Sequence, residues 1–191
     1  MSKYLFSAAL AAAALVPSAA AAQAVPAAIV AVVDLDRVTT DCTACKTASA
    51  ALRSQVAALS TRETQLTTPL KTEGQSIQTA IDALAGKAPD AALQARIKAF
   101  QTRQQSGASE LQRQQQQLQR NQAHIQQQIQ TKLGPIYQQV MQRRGANVLI
   151  EVGSTLATAA SVDVTNDVVA ALNASLPSLQ TTAPAQAQPS R

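Results

Sequence analysis

Leu84-Ala85-Gly86-Lys87-Ala88-Pro89-Asp90-Ala91 breaks an otherwise helix-forming stretch that covers residues 46–144. A glycine follows the last apolar residue of one run, and Pro and Asp precede the next, the usual stop and start signals of helices. The segment therefore folds one long helix back on another. Up the first arm the apolar residues are Leu52, Val56, Leu59, Leu66, Leu70, Ile77, Ile81 and Leu84; down the second they are Leu93, Ile97, Phe100, Leu111, Leu118, Ile125, Ile129, Leu133, Ile136 and Val140. Ile97, Leu111, Leu118 and Ile125 sit on multiples of seven, with Gln104 in the missing place. A seven-residue beat marks a coiled-coil seam rather than the broad stripe of a globular helix. Arms of this length rise about 60 and 80 Å, too long for one compact ball of this size, so they project.

Three features of the arms stand out. Pro69 and Gly74 interrupt the first, and the apolar spacing slips beyond Leu70, which predicts a bend near Thr68-Pro69. Residues 111–130 hold 11 Gln. Glutamine is a fair helix former, and the apolar beat continues through the tract, so it reads as helix rather than as an aggregating segment. Gly134-Pro135 is expected to interrupt the second arm where it meets the base.

Short elements lie at the roots of the arms. Residues 27–33 (Ala-Ala-Ile-Val-Ala-Val-Val) form an apolar, β-branched run that predicts a strand covered on both faces. Asp34-Leu35-Asp36-Arg37 leads out of it, and Thr39, Thr40 or Asp41 is the candidate cap of the first arm. Cys42-Thr43-Ala44-Cys45 follows. The pair reads as a local structural disulfide; a redox dithiol at a helix N-terminus is the sharper alternative, but a thioredoxin-like site needs a βαβ setting that is absent here. After Gly145, residues 147–152 predict a second strand and residues 155–160 a third, weaker one. Asp163 or Thr165 caps a short helix over 166–173, Pro177 stops it, and 176–191 read as a disordered tail.

The first 24 residues read as a secretory signal peptide: a positive start at Lys3, an apolar run over 5–16, and small residues at the candidate cleavage sites after Ala22 or Ala24. The chain is therefore expected to be exported, and the family resemblance given below implies the periplasm as its location. Residues 46–144 carry 13 Lys and Arg against 5 Asp and Glu, whereas the rest of the mature chain carries 2 basic and 6 acidic residues. Basic arms on an acidic base suit acidic protein surfaces, anionic lipid or lipopolysaccharide surfaces. Past the signal peptide the aromatic residues are Phe100 and Tyr137 alone. So few rings fit a thin two-helix seam and argue against nucleic-acid binding by base stacking. No G-x-x-x-x-G-K-[ST] loop is present, and the chain has a single histidine, His124, far from the cysteines. Neither an enzyme, a cofactor nor a metal site is therefore expected.

Two or three short strands and one small helix do not make a stable sheet domain alone. The fold class expected is α+β: a long antiparallel helical hairpin (residues 46–144) projecting from a small β-structure (25–45 and 145–175) shared between subunits. Residues 27–33 leading into a helix, the basic hairpin, and Val148-Leu149-Ile150-Glu151-Val152 followed by Asp163-Val164-Thr165-Asn166-Asp167-Val168-Val169 resemble the Skp (OmpH-like) periplasmic chaperones over residues 27–173. That resemblance implies a homotrimer with a β-barrel body, and ATP-independent holding of unfolded outer-membrane proteins between its arms. The Cys42/Cys45 pair, the glutamine-rich second arm and the tail depart from the family's pattern. Candidate client-binding residues near the hairpin tip are Ile77, Ile81, Leu84, Leu93, Ile97 and Phe100, flanked by Lys87, Arg96, Lys98 and Arg103. The apolar members equally serve to zip the hairpin. An envelope spacer or adaptor and, less favoured, a thiol–disulfide oxidoreductase are the alternative functions.

Overall fold

The computed structural model describes residues 26–184 of the 191-residue chain. The signal peptide expected over 1–24 lies outside the described residues. β1 (Val30–Val33) leads into a short helix α1 (Leu35–Asp41), then into α2 (Thr43–Asp82) and α3 (Ala91–Arg144); β2 (Val148–Glu151) and α4 (Thr165–Ser175) follow. The 40 residues of α2 and the 54 of α3 rise about 60 and 81 Å. They run antiparallel, with Glu73 opposite Arg103 and Arg62 opposite Glu110.

β1 and β2 pair in parallel, Val30 against Val148 and Val33 against Glu151. Parallel neighbours need a crossover connection, and here the crossover is the entire hairpin. Asn147 prolongs the pairing with its side chain. Its Oδ1 accepts the Ile29 N–H at 2.7 Å and its Nδ2 donates to the Ala27 carbonyl at 2.7 Å. The core lies at this end of the molecule, where α1, the roots of α2 and α3, and α4 converge on the fully buried Val38, Cys42, Val140, Val168 and Leu172. Farther along the arms the buried large apolar residues thin to Ile77 and Ile125.

Several sequence expectations need correction. Residues 155–160 form no strand, so among the described residues the sheet has two strands; two 3₁₀ turns, Val152–Ser154 and Ala160–Val162, flank an open loop in which Leu156 is fully exposed. Half of that run is alanine, and its β-branched residues are two threonines, a weak set to pack on a pleat. A lone parallel bridge instead pairs Val32 with Asp163, beyond that run. Asp34 does not simply lead outward: its carboxylate accepts the Arg37 N–H at 2.8 Å and starts α1. The first arm is capped not by Thr39, Thr40 or Asp41 but by Cys42, whose Sγ accepts the Cys45 N–H, and by Asn173, whose Oδ1 accepts the Thr43 N–H at 2.9 Å.

Both helices continue through their prolines, Pro69 in α2 and Pro135 in α3. The expected interruption at Gly134-Pro135 is thus overruled by packing, because Leu133, Ile136 and Val140 are all buried in the basal core. The turn between the arms falls as expected, with Ala85 and Gly86 at φ of 48° and 88°. Asp90 then caps α3 by accepting the Leu93 N–H at 2.8 Å. Nor do residues 176–184 hang free. Leu176 is buried, Leu179 packs on the core, and Gln180 to Ala183 lie against both arms through the hydrogen bonds described below.

Candidate functional site

The hairpin tip brings the sequence-derived candidates onto one surface, yet not into equal positions. Ile77 is buried in the seam; Leu84, Leu93, Ile97 and Phe100 are half-buried between the helices; Ile81 is exposed. The Phe100 ring packs over Gly74, where a Cβ would stand 3.2 Å from its Cζ. Glycine thus makes room for the aromatic ring nearest the tip. Arg96 donates to Ser76 Oγ at 2.8 Å and Arg103 to Glu73 at 2.5 Å. Two of the candidate cations therefore clasp α2 to α3, whereas Lys87 and Lys98 are exposed, and their side chains make no hydrogen bond among the described residues. Arrayed this way, the tip offers a shallow mixed surface: partly covered aliphatic side chains ringed by positive charge.

Below the tip the seam turns polar. Arg62 grips the Glu110 carboxylate with both Nε and a terminal nitrogen, at 2.7 and 3.1 Å, and that hydrogen bonding holds the Glu110 carboxyl below its ordinary range. A cleft of about 270 Å³ lies beside this pair, bordered by Leu66, Pro69, Leu70 and the buried Gly107. Nearer the base, Asn121 is buried and donates to Gln55 Oε1 across the hairpin at 2.8 Å. Sequence reading treated this glutamine-rich face as plain helix and did not single out Asn121.

At the root, Cys42 and Cys45 are joined by a disulfide, and both are buried. Buried sulfur in an apolar core is inert, because thiol exchange needs an accessible, electropositive setting. Beside it Arg37 reaches Asp163 at 3.5 Å and Asn166 at 3.0 Å. The described residues hold no cluster of His, Cys, Asp or Glu suited to a metal, and none of their helices is long and apolar enough to cross a membrane.

A basic helical hairpin inserted between two parallel strands, its core confined to one end, defines a tentacled α+β protein. Residues 29–172 match the family described as outer membrane protein (OmpH-like), and the chain belongs to that family. Among solved structures, the chain is similar to a Caulobacter crescentus CB15 protein described as an outer membrane chaperone (OmpH-like). The match has a TM-score of 0.67 at 20% identity and covers 82% of this chain and 90% of that one. At that identity the likeness is one of fold. No curated protein matches the chain.

Proposed function

We propose that this protein is an ATP-independent holdase of the periplasm, which captures unfolded outer-membrane proteins between flexible basic arms and keeps them from aggregating. The observation that carries the reading is the tip surface: Ile81 exposed and Leu84, Leu93, Ile97 and Phe100 half-covered, beside the exposed Lys87 and Lys98, at the end of helices whose core lies at the opposite end. An unfolded barrel protein shows alternating apolar residues along extended chain. A surface of small apolar contacts grips such a chain weakly and without regard to sequence. Several arms acting on one client multiply weak contacts through effective concentration. Excess positive charge speeds the capture of acidic chains. Membership of the OmpH-like family and the description of the Caulobacter neighbour agree with this role.

Several arms require several copies; the open sheet edge at the base offers copies a place to join, and three is the number that the family resemblance implies. β2 has β1 on one side and, among the described residues, no strand on the other. Ile29, Val30, Val148 and Leu156 are exposed around the same short sheet. An open edge rimmed with apolar residues is covered by a partner in a stable protein. The test is dilution of a urea-unfolded outer-membrane β-barrel protein into buffer without nucleotide, followed by light scattering. Scattering suppressed at stoichiometric amounts of this chain is the expected result. Unchanged aggregation contradicts the reading and leaves a spacer. Replacing Cys42 and Cys45 together by Ser is expected to leave the suppression intact.

A further inference from the structure

The glutamine-rich face of α3 is not an inert polar surface, because its amides bond the backbone of residues 180–183. Gln128 exchanges two hydrogen bonds with the backbone of Gln180: its Oε1 accepts the N–H at 3.0 Å, and its Nε2 donates to the carbonyl at 2.9 Å. Two turns toward the tip, Asn121 Oδ1 accepts the Ala183 N–H at 2.9 Å, and Gln117 Nε2 reaches the Ala183 carbonyl at 3.4 Å. From the other arm, Gln55 Nε2 donates to the Thr181 carbonyl at 3.2 Å. On the side of the segment, every one of these bonds falls on a backbone N–H or carbonyl of residues 180, 181 and 183.

The geometry has a simple origin. A side-chain carboxamide carries one carbonyl and one N–H₂, so it offers extended chain the same paired donor and acceptor that a neighbouring strand does. The chain bends at Thr182, so the pair of amides at Gln128 and the pair at Asn121 and Gln117 each meet a separate peptide group, at residues 180 and 183. Gln117 is itself set in place by a hydrogen bond to Asn121 at 2.7 Å. Between them His124 has a buried Nε2 with no hydrogen-bond partner among the described residues, on a cleft of about 340 Å³ that Gln128, Lys132 and Leu176 also line.

We propose that the amide stripe Gln117, Asn121 and Gln128, with Gln55 opposite, is a binding site for polypeptide main chain, and that residues 180–183 are its tethered resident, displaced by an incoming unfolded segment. That the incoming chain is an outer-membrane protein rests on the holdase reading; the site itself does not. The hydrogen bonds reach peptide groups only, so they select backbone rather than side-chain identity.

The full-length double variant Gln180→Pro with Ala183→Pro tests this. It removes the two N–H groups that Gln128 and Asn121 receive and leaves the stripe untouched. The probe is a fluorescent, end-capped peptide with the sequence of residues 177–184, read by anisotropy. The released variant is expected to bind it at least about tenfold more tightly than the parent chain, whose own segment competes at high effective concentration. Adding Gln128→Leu to the released variant is expected to undo most of that gain, as is N-methylation of the peptide at the positions of residues 180 and 183. Equal binding by parent and released chains, or undiminished binding of the N-methylated peptide, overturns the site. Far-UV circular dichroism confirms that the variants keep the helical content of the parent. If the peptide arms behave as expected while the parent fails to protect an unfolded barrel protein, the holdase reading falls and the site stands. Normal protection with failed peptide arms removes the site alone.

Discussion

Thr165 is fully buried, and its hydroxyl oxygen accepts the Asp34 N–H at 2.9 Å. Valine at 165 keeps the shape and strands that donor at the end of β1. The expected cost is about 1–2 kcal/mol, visible as a lower urea midpoint with an unchanged slope. Asp163 works next to it. Its Oδ1 accepts the Thr165 N–H at 2.8 Å, and the hydrogen bonds from Thr165, with Arg37 nearby, hold its carboxyl below the ordinary value of 3.8. A lowered folded pKa contributes stability that is present above the ordinary value and is lost as pH falls through the folded one. The difference in urea midpoint between parent and Asp163→Asn is therefore expected near neutrality and to shrink as pH drops below 3.8. A difference that grows in acid contradicts the assignment.

Among elements, the end of the hairpin is held by a few apolar side chains, the buried Ile77 and the half-buried Phe100 among them. Phe100→Ala removes the ring that covers Gly74. Because Phe100 is half-buried, the loss is expected near half that of a core phenylalanine, about 2 kcal/mol. Hydrogen exchange is expected to quicken at the tip amides and to stay slow at the base; uniform acceleration contradicts a locally held tip. The hairpin was legible in the sequence because Leu111, Leu118 and Ile125 keep a seven-residue beat, and Gly86, Pro89 and Asp90 carry turn chemistry. β1 and β2 were legible for the same kind of reason, as β-branched runs bounded by breakers. What escaped were features set by tertiary contact. α1 is only seven residues long and contains Val38, Thr39 and Thr40, poor helix formers held by a cap and a core. Pro135 sits inside α3 because its neighbours are buried, not because its ring suits a helix. The seat of residues 180–183 depends on amides from two arms, which no local pattern displays. The tip residues were found as a row, but the split between Ile77 inside and Ile81 outside required the packed hairpin.

On the scale of the whole molecule, one chain has a core at its base and two long helices held by a narrow seam. Its sheet has two strands of four residues each, with an edge left open. Charge follows the same division, since basic arms leave an acidic base. In the proposed assembly, copies joined at the base would place the arms around a common space, and salt is expected to slow client capture there by screening the arms. Native mass spectrometry of the mature chain, alone and after addition of a urea-diluted outer-membrane β-barrel protein without nucleotide, reads assembly and grip together. The account predicts a homotrimer that takes up the unfolded client as a defined complex. A lone chain that leaves the client unbound contradicts it.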